Sequence, residues 1–326
     1  MIITRTPLRI SIGGGGTDLP SYYEKFGGFV ISAAINKYVY ITANRAFRDG
    51  YFLKYSKIEN VESIDQIRHD IFRESLRQME IDPRIDISSI ADVPAGTGLG
   101  SSGSFTVGLV QALYAYKRLP VGTDELANRA NNLEMNVLGE PCGKQDHYIA
   151  AYGGIMCQEY LEDGDVVMSP LDISEDTLRG LKEHLMLFFT GYSRTASELL
   201  EDQRVRSISN DTTMLDNLHF IKELGFRIKG VLEAGDLVGF AGLMHEHWLR
   251  KRARSASTSN DRIDNVYAVA RENGALGGKL VGAGGGGFLM FFTEDRQKLR
   301  ARMVENGLQE MDFDFDFDGS IVQLRN

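Results

Sequence analysis

Two spacings of hydrophobic residues alternate along the first half of the chain. Strand-like apolar runs cover Phe29 to Thr42 and Ile85 to Ser89. Apolar residues recur every three or four positions from Ile64 to Glu80, from Ser101 to Lys117 and from Thr123 to Leu138, which predicts helices. The alternation of strands with helices predicts an α+β layer architecture.

The second half follows a polar stretch, Ser169 to Asp176, which we interpret as the boundary between two domains, residues 1–175 and 176–326. Asp312 to Asp318 alternates Phe with Asp, and this period of two predicts a one-sided edge strand rather than a metal site. The other predicted elements are a strand over Leu185–Phe189, helices near Ala196–Val205, Met214–Ala234 and Asp261–Asn273, a glycine-rich strand pair, and a strand near Ile321–Leu324.

Composition and charge narrow the class of protein. A chain of 326 residues exceeds the usual size of one hydrophobic core, which agrees with two domains. The net charge of −9 argues against nucleic acid or an anionic membrane as a partner. Cys142 and Cys157 are too few for a disulfide framework. With no signal-peptide pattern and no long uncharged apolar run, we expect a cytoplasmic protein, whose oligomeric state stays open, a homo-oligomer included.

The segment from Asp92 to Ser104 carries the most specific chemical signal. It has glycines at positions 96, 98, 100 and 103, and glycine tolerates the positive φ angles that let backbone N–H groups converge on one anion. The predicted helix starts at Ser101, so its N-terminal dipole and free N–H groups add to this attraction. The segment therefore predicts a site for the phosphates of a nucleoside triphosphate.

Two commoner nucleotide motifs do not fit. A P-loop needs Lys followed by Ser or Thr after its last glycine, but Gly100 is followed by Ser101 and Ser102. A dinucleotide fingerprint occurs at Gly282, Gly284 and Gly287, yet the apolar run that follows predicts a strand where that motif needs a helix. The protein-kinase pattern is also missing from the sequence.

Three segments in the right order resemble the motifs of the GHMP kinases, a family of sugar and mevalonate kinases. Pro94 to Ser102 resembles their Pro-x-x-x-Gly-Leu-Gly-Ser-Ser phosphate loop, Thr6 to Asp18 their N-terminal substrate segment, and Lys279 to Gly287 their C-terminal one. The resemblance implies an ATP- and Mg²⁺-dependent small-molecule kinase. It also implies a ribosomal-S5-domain-2-like N-terminal domain, a ferredoxin-like C-terminal domain and an active site between them.

The same resemblance assigns candidate residues for ATP and for the metal. The implied ATP-binding residues are Pro94, Gly96, Gly98, Leu99, Gly100, Ser101, Ser102, Gly103 and Ser104. Ser102 is the candidate Mg²⁺ ligand, and a plain helix cap is its alternative. Glu134 falls on the apolar face of its predicted helix, where a carboxylate needs a partner; a metal is one candidate and a salt bridge is the other.

Asp146 is the candidate catalytic base. Its surroundings resemble the Cys-Gly-x-x-Asp-Gln segment of galactokinase-like members, except that Gln145 precedes the Asp and His147 follows it; we expect His147 to be structural. The alternative is an ordinary Asp in a first helical turn. Arg9 lies where family members carry a cation near the transferred phosphoryl group, and a surface-facing strand residue is its alternative.

Further residues are implied in binding the acceptor. Asp18 suits hydrogen bonds to sugar hydroxyls, although an Asx-turn also explains it. The other implied acceptor residues are Gly15, Gly16, Thr17, Gly284, Gly285 and Gly286, together with Arg9 and Asp146. For the last three glycines, a tight hairpin is the alternative.

Within the family, the segment around Gly14 to Asp18 lacks the Glu-His pair of galactokinases and most resembles bacterial D-glycero-D-manno-heptose 7-phosphate kinases, which act on the C1 hydroxyl. A fucokinase or hexose-1-kinase and a non-catalytic sugar sensor are the alternatives. An acceptor that already carries phosphate needs cations, and we predict that Arg194 at a helix N-terminus binds that phosphate. We expect the basic cluster of Lys251, Arg252 and Arg254 to be a solvated helix end.

Overall fold

The computed structural model describes residues 1–191, 197–209 and 211–325. Within these ranges, the strands form one sheet of eight and one of four. The strands are β1 (Ile2–Gly13), β2 (Gly28–Arg45), β3 (Tyr51–Lys54), β4 (Ile58–Val61), β5 (Ile85–Ala91), β6 (Ile155–Tyr160), β7 (Val166–Pro170), β8 (Leu185–Phe189), β9 (Ala275–Leu280), β10 (Phe288–Thr293), β11 (Gln309–Met311) and β12 (Ile321–Arg325). The helices are α1 (Pro20–Phe26), α2 (Asp70–Gln78), α3 (Ser101–Lys117), α4 (Thr123–Asn132), α5 (Gln145–Tyr152), α6 (Glu175–His184), α7 (Ser197–Ile208), α8 (Thr212–Glu233), α9 (Leu237–Arg252), α10 (Asp261–Glu272) and α11 (Arg296–Glu305).

The first sheet is built around two long antiparallel strands, β1 and β2. Its order is β12-β1-β2-β5-β3-β4, and β6 pairs with both β2 and β7. From Thr6 to Gly13 every residue of β1 is buried, because helices that include α3 and α8 cover this part of the sheet. Full burial of Leu8, Ile10 and Ile12 contributes roughly 1.5–3 kcal/mol each.

The second sheet is smaller and is antiparallel throughout, in the order β11-β8-β10-β9. All six residues of β10 are buried, which explains why Phe288 to Thr293 is almost entirely apolar. Helix α9 packs on β9, and α8 packs on α9 and also on β2. At this contact Phe29 of β2 stacks on Phe226 of α8 with 4.1 Å between ring centroids, so α8 joins the two sheets.

The last strand returns to the first sheet. Residues of β12 pair with β1, from Ile2 opposite Arg325 to Arg5 opposite Ile321. The predicted division at residues 175 and 176 falls between β7 of the first sheet and β8 of the second, and β12 lies outside the second sheet. The division itself stays a prediction.

Several predicted elements are confirmed, and two helices need correction. Helix α3 and strand β8 begin and end at the predicted residues. The helix predicted over Ile64–Glu80 is interrupted between a 3₁₀ turn at residues 64–66 and α2, because the Glu59 carboxylate accepts hydrogen bonds from the N–H groups of Arg68 and His69. The helix predicted over Thr123–Leu138 ends as α4 at Asn132 and continues as a π-helix, residues 133–137.

The edge strand predicted over Asp312 to Asp318 is wrong. The sheet strand β11 ends at Met311, and beyond it only Phe315 forms an isolated bridge, to Ile35, among the described residues. The reason is local: one carboxylate oxygen of Asp316 accepts hydrogen bonds from the N–H groups of Asp318 and Gly319, which turns the chain. No helix in the described part of the chain has the length and apolar character that a membrane span requires.

Candidate active site

A cavity of about 1410 Å³ lies where the two sheets meet. We name three loops that line it: the phosphate loop (residues 92–100), the acceptor loop (residues 14–19) and the third glycine loop (residues 281–287). The start of α3, the π-helix and the start of α5 also line it from the first sheet. Helix α7, the end of α9, and the segment from the β3–β4 turn to the start of α2 also line it.

The phosphate loop has the predicted conformation. Gly96, Gly98 and Gly100 have φ angles of +77°, +81° and +75°, which favour glycine. A Cβ at Gly98 would lie 2.7 Å from the carbonyl oxygen of Val281, so this loop contacts the third glycine loop backbone to backbone. No side chain caps α3, which leaves N–H groups of its first turn for an anion.

The residues predicted to bind ATP divide into two groups. The cavity is lined by Gly96, Gly98, Gly100, Ser101, Ser102 and Gly103. Pro94, Leu99 and Ser104 instead shape the loop: the Pro94 carbonyl accepts a hydrogen bond from Thr97 Oγ1 at 3.0 Å, the Leu99 carbonyl accepts one from the Arg9 N–H at 2.9 Å, and the Ser104 hydroxyl donates to the Pro7 carbonyl at 2.7 Å.

Glu134 is buried at the edge of the phosphate loop, as its place on an apolar helix face predicts. Ser102 Oγ donates to Glu134 Oε2 at 2.7 Å, and the Thr106 hydroxyl donates to Oε1. The Nε2 atom of His147 lies 3.2 Å from Oε1. Burial raises the pKa of Glu134, but the facing His147 and the hydroxyl donors outweigh burial and hold this pKa below its ordinary value.

The Ser102 and Glu134 oxygens have the chemistry that Mg²⁺ prefers, and both residues line the cavity beside the phosphate loop. Mg²⁺ at kinase sites takes one or two protein ligands and completes its shell with substrate phosphates and water. Within the described ranges, no group of three or more His, Cys, Asp or Glu residues could hold a metal ion. The Ser102 and Glu134 oxygens therefore fit a metal that binds together with ATP.

Arg9 and Asp146 are brought together as a pair. Arg9 Nε donates to Asp146 Oδ1 at 2.7 Å, and Arg9 Nη2 donates to Oδ2 at 2.9 Å. The remaining nitrogen, Nη1, donates to the Gly98 carbonyl. Asp146 lies in the first turn of α5, and Arg9 is only 5% exposed on β1. Arg9 therefore fixes the candidate base against the phosphate loop.

The acceptor loop presents Asp18 to the same place. The Asp18 carboxylate accepts hydrogen bonds from the N–H groups of Gly16 at 3.1 Å and Gln145 at 3.3 Å. Burial and then the nearby charge of Asp146 raise the pKa of Asp18. Gly15 and Gly16 line the cavity, whereas Thr17 is fully buried and its hydroxyl donates to the Gly14 and Phe29 carbonyls. Thr17 thus holds the loop rather than facing a ligand.

The third glycine loop closes the cavity from the other side. Gly284 and Gly286 line it, and the N–H of Gly285 donates to the Thr258 carbonyl at 2.8 Å. Gly285 therefore anchors this loop to the segment after α9. Arg194, which we predicted to bind a distal phosphate, lies outside the described residues.

The prediction of a solvated helix end is wrong for Lys251 and Arg254. Lys251 is buried, Arg254 is only partly exposed, and both line the cavity; Lys279 and His247 do so too. The cluster is covered because α9 packs on β9 and on the first sheet. One signal could have found it: His247, Lys251 and Arg254 are spaced by four and three residues, which places them on one helix face.

Comparison with known proteins identifies the family of the chain. Residues 66–154 match the family profile "GHMP kinases N terminal domain", and residues 228–307 match "GHMP kinases C terminal". A D-glycero-alpha-D-manno-heptose 7-phosphate kinase of Campylobacter jejuni is 31% identical over 334 aligned residues, which cover 98% of this chain and 97% of that protein. The chain is a GHMP kinase.

Two further relatives align with most of the sequence of this kinase. The crystal structure of a D-glycero-D-manno-heptose 1-phosphate kinase from Bacteriodes thetaiotaomicron superposes with a TM-score of 0.81 at 27% identity and covers 99% of each chain. An L-fucokinase/L-fucose-1-P guanylyltransferase of Bacteroides fragilis is 25% identical over 93% of this kinase and 36% of that protein. The family confirms the predicted α+β fold class and the predicted class of enzyme, an ATP-dependent phosphotransferase.

Proposed function

We propose that this kinase transfers the γ-phosphoryl group of ATP to the C1 hydroxyl of D-glycero-D-manno-heptose 7-phosphate. The observation that carries the proposal is the Arg9–Asp146 pair, which lies between the phosphate loop and the acceptor loop. The name of the Campylobacter jejuni relative supports this acceptor, and the name of the heptose 1-phosphate kinase supports only a heptose phosphate. The product is a 1,7-bisphosphate, which we propose serves the synthesis of nucleotide-activated heptose for surface polysaccharide.

In the proposed reaction the C1 oxygen of the heptose attacks the γ-phosphorus of ATP. The bond from the γ-phosphorus to the bridging oxygen breaks, ADP leaves, and the hydroxyl proton passes to the Asp146 carboxylate. Arg9 holds that carboxylate through both of its oxygens. Its positive charge also lies where negative charge on the transferred group needs neutralisation. Asp146 is thus the base, and Arg9 both positions it and stabilises charge.

The start of α3 and the phosphate loop bind the triphosphate in this proposal, through N–H groups that no side chain caps. Ser102 and Glu134 would hold Mg²⁺, which supplies charge neutralisation on the phosphates when it is bound. Asp18 would accept a hydrogen bond from a sugar hydroxyl, since its carboxylate lines the cavity near Asp146.

The test is an acceptor panel. Purified enzyme with Mg-ATP is assayed for ADP release against heptose 7-phosphate, heptose 1-phosphate, L-fucose, galactose and mevalonate, and the product's phosphate positions are read by ³¹P NMR. The proposal expects turnover of heptose 7-phosphate with new phosphate at C1.

The other outcomes each decide something. Turnover of L-fucose alone would replace the acceptor and favour the fucokinase alternative, for which the Bacteroides fragilis relative is the specific support. Turnover of heptose 1-phosphate would move the new phosphate to a different hydroxyl. Nucleotide and sugar binding without turnover of any acceptor would favour a non-catalytic sensor, in which the Arg9–Asp146 pair has no use.

A further inference from the structure

Four basic side chains form one wall of the cavity. They are Arg9, which contacts the Gly98 carbonyl of the phosphate loop, Lys251, Lys279, and Arg254, which borders the acceptor loop. Burial, followed by the charges of Arg254 and Arg9, lowers the pKa of Lys251 to about 7. Burial, followed by the charges of Lys251 and Arg9, lowers that of Lys279. The charges of both arginines therefore act on Lys251.

Three of these cations have neutral partners. Lys251 Nζ donates to the Leu280 carbonyl at 2.9 Å and to the Gly282 carbonyl. Lys279 Nζ donates to the Ile12 carbonyl at 2.9 Å. In the ranges that the structure describes, Lys251, Lys279 and Arg254 form no ion pair, whereas Arg9 has Asp146. Burying a charge without a counter-ion costs several kcal/mol per ion, which lowers the pKa of both lysines, and an anion bound at this wall would favour their charged form.

One guanidinium nitrogen of Arg254 donates no hydrogen bond within the described part of the chain. Its Nη1 donates to Gln203 Oε1 at 2.9 Å and its Nε donates to Asn217 Oδ1 at 3.1 Å. The third nitrogen, Nη2, is buried and has no hydrogen-bond partner among the described residues. Two amide side chains from α7 and α8 therefore fix the guanidinium plane and leave one N–H edge for a ligand, as an oxygen-rich anion requires.

The position of Arg254 assigns this donor to the acceptor and not to ATP. A Cβ at Gly16 would lie 2.6 Å from Arg254 Nη1, so the guanidinium borders the acceptor loop. Gln203 ties the two together, because its Nε2 donates to the Gly16 carbonyl at 2.7 Å. The charge of Asp18 also acts on Arg254. The phosphate loop, by contrast, contacts Arg9 and the third glycine loop.

We propose that Arg254, held by Gln203 and Asn217 and backed by Lys251, binds the phosphate that the acceptor already carries. This inference rests on the proposed function, because it assigns the 7-phosphate of the heptose to that wall. It makes Arg254 the residue that distinguishes a phosphosugar from the same sugar without phosphate. A hydrogen-bonded charge pair of this kind predicts a preference of about 30-fold or more in kcat/KM.

The experiment compares Arg254→Gln with a matched variant, Arg252→Gln. Arg252 lies two residues away, forms an ion pair with Asp264 at 3.1 Å and does not line the cavity, so this control removes the same charge from the same helix end. For each enzyme, kcat and KM are measured with heptose 7-phosphate, with unphosphorylated heptose and with ATP. Calorimetry of heptose 7-phosphate binding in the presence of ADP gives a readout that needs no turnover.

We expect Arg254→Gln to lower kcat/KM for heptose 7-phosphate about 30-fold, with unphosphorylated heptose and the KM for ATP unchanged, and Arg254→Lys to recover part of the loss. Arg252→Gln should match the wild type. An equal loss on both heptoses, a raised KM for ATP, or no change would overturn the assignment while leaving the kinase reaction in place. If the wild type neither binds nor phosphorylates heptose 7-phosphate, the proposed function and this inference both fail.

Discussion

The phosphate loop lines the cavity with backbone, through three left-handed glycines and the uncapped start of α3, whereas a second wall lines it with the side chains of Lys251, Lys279 and Arg254. The first wall is nine consecutive residues and one helix end. The second is assembled from α9, the turn after it and β9, whose contributing residues lie far apart in the sequence. A backbone N–H carries no net charge, so burial does not change its ionisation. A buried ammonium group loses its hydration, and its pKa falls. The two walls should therefore respond differently to mutation and to pH.

Replacing Gly98 with Ala tests the phosphate loop. Among the substitutions that test the two walls, it has the largest expected effect. Gly98 has φ of +81°, and an added Cβ would lie 2.7 Å from the Val281 carbonyl oxygen, so both the loop and its neighbour must shift. We expect kcat/KM for ATP to fall about 100-fold, since a displacement of this size at a positioning loop costs that much. Steady-state kinetics measure it. Activity within a few-fold of the wild type would mean that the loop's conformation is not needed for ATP.

Replacing Lys251 with Met tests the side-chain wall through pH. Its pKa falls from 10.5 to about 7 on folding, so between those values the unfolded chain binds more protons and the stability of the ligand-free wild type gains from rising pH. Below pH 7 the ammonium group is charged in both states and this gain is lost. We expect the difference in Tm, wild type minus Lys251→Met, to rise by several degrees between pH 7 and pH 9.5.

Calorimetry of the ligand-free proteins measures that difference, with the exposed Lys298→Met as control. The control should give a difference in Tm that does not depend on pH. A flat profile for Lys251→Met as well would mean that Lys251 keeps its ordinary pKa and that its burial carries no charge cost.

Replacing Gly230 with Ala has the smallest expected effect and sharpens the contrast with Gly98. Gly230 is exposed inside α8, and an added Cβ would meet no atom within 4 Å. Alanine is the better helix former, so we expect a gain in the free energy of unfolding of about 0.5–1 kcal/mol with kcat unchanged. Urea unfolding and steady-state kinetics check both. A loss of activity would show that α8, which joins the two sheets, tolerates no stiffening.

The parts of the site that local chemistry determines could be predicted from the sequence. Glycine spacing indicates the phosphate loop, and helical periodicity places Glu134 on a buried face. Ser102 is the other candidate Mg²⁺ ligand, and in the structure its hydroxyl donates a hydrogen bond to the Glu134 carboxylate. The resemblance to a family added Arg9 and Asp146, whose pairing no spacing in the sequence reveals.

What could not be predicted depends on packing between distant elements. Thr17 follows a glycine run, and the sequence predicts that it binds the acceptor. Its hydroxyl instead donates a hydrogen bond to the carbonyl of Phe29 on the next strand. The sequence predicts that Lys251 and Arg254 form a solvated helix end, because a basic cluster is solvated unless another element covers it. In the structure, β9 and the acceptor loop cover these two residues. The spacing of the Asp residues after Met311 predicts one face of a strand. In the structure, the Asp316 carboxylate instead accepts hydrogen bonds from the N–H groups of Asp318 and Gly319.

The central claim is that Asp146 takes the proton of the acceptor hydroxyl in a phosphoryl transfer to heptose 7-phosphate. Its most direct test is kcat at saturating Mg-ATP and heptose 7-phosphate for the wild type, Asp146→Asn and the exposed control Asp312→Asn. We expect a loss of about 1000-fold in kcat for Asp146→Asn, with ATP binding retained and the control unchanged. A kcat for Asp146→Asn within about three-fold of the wild type would contradict it.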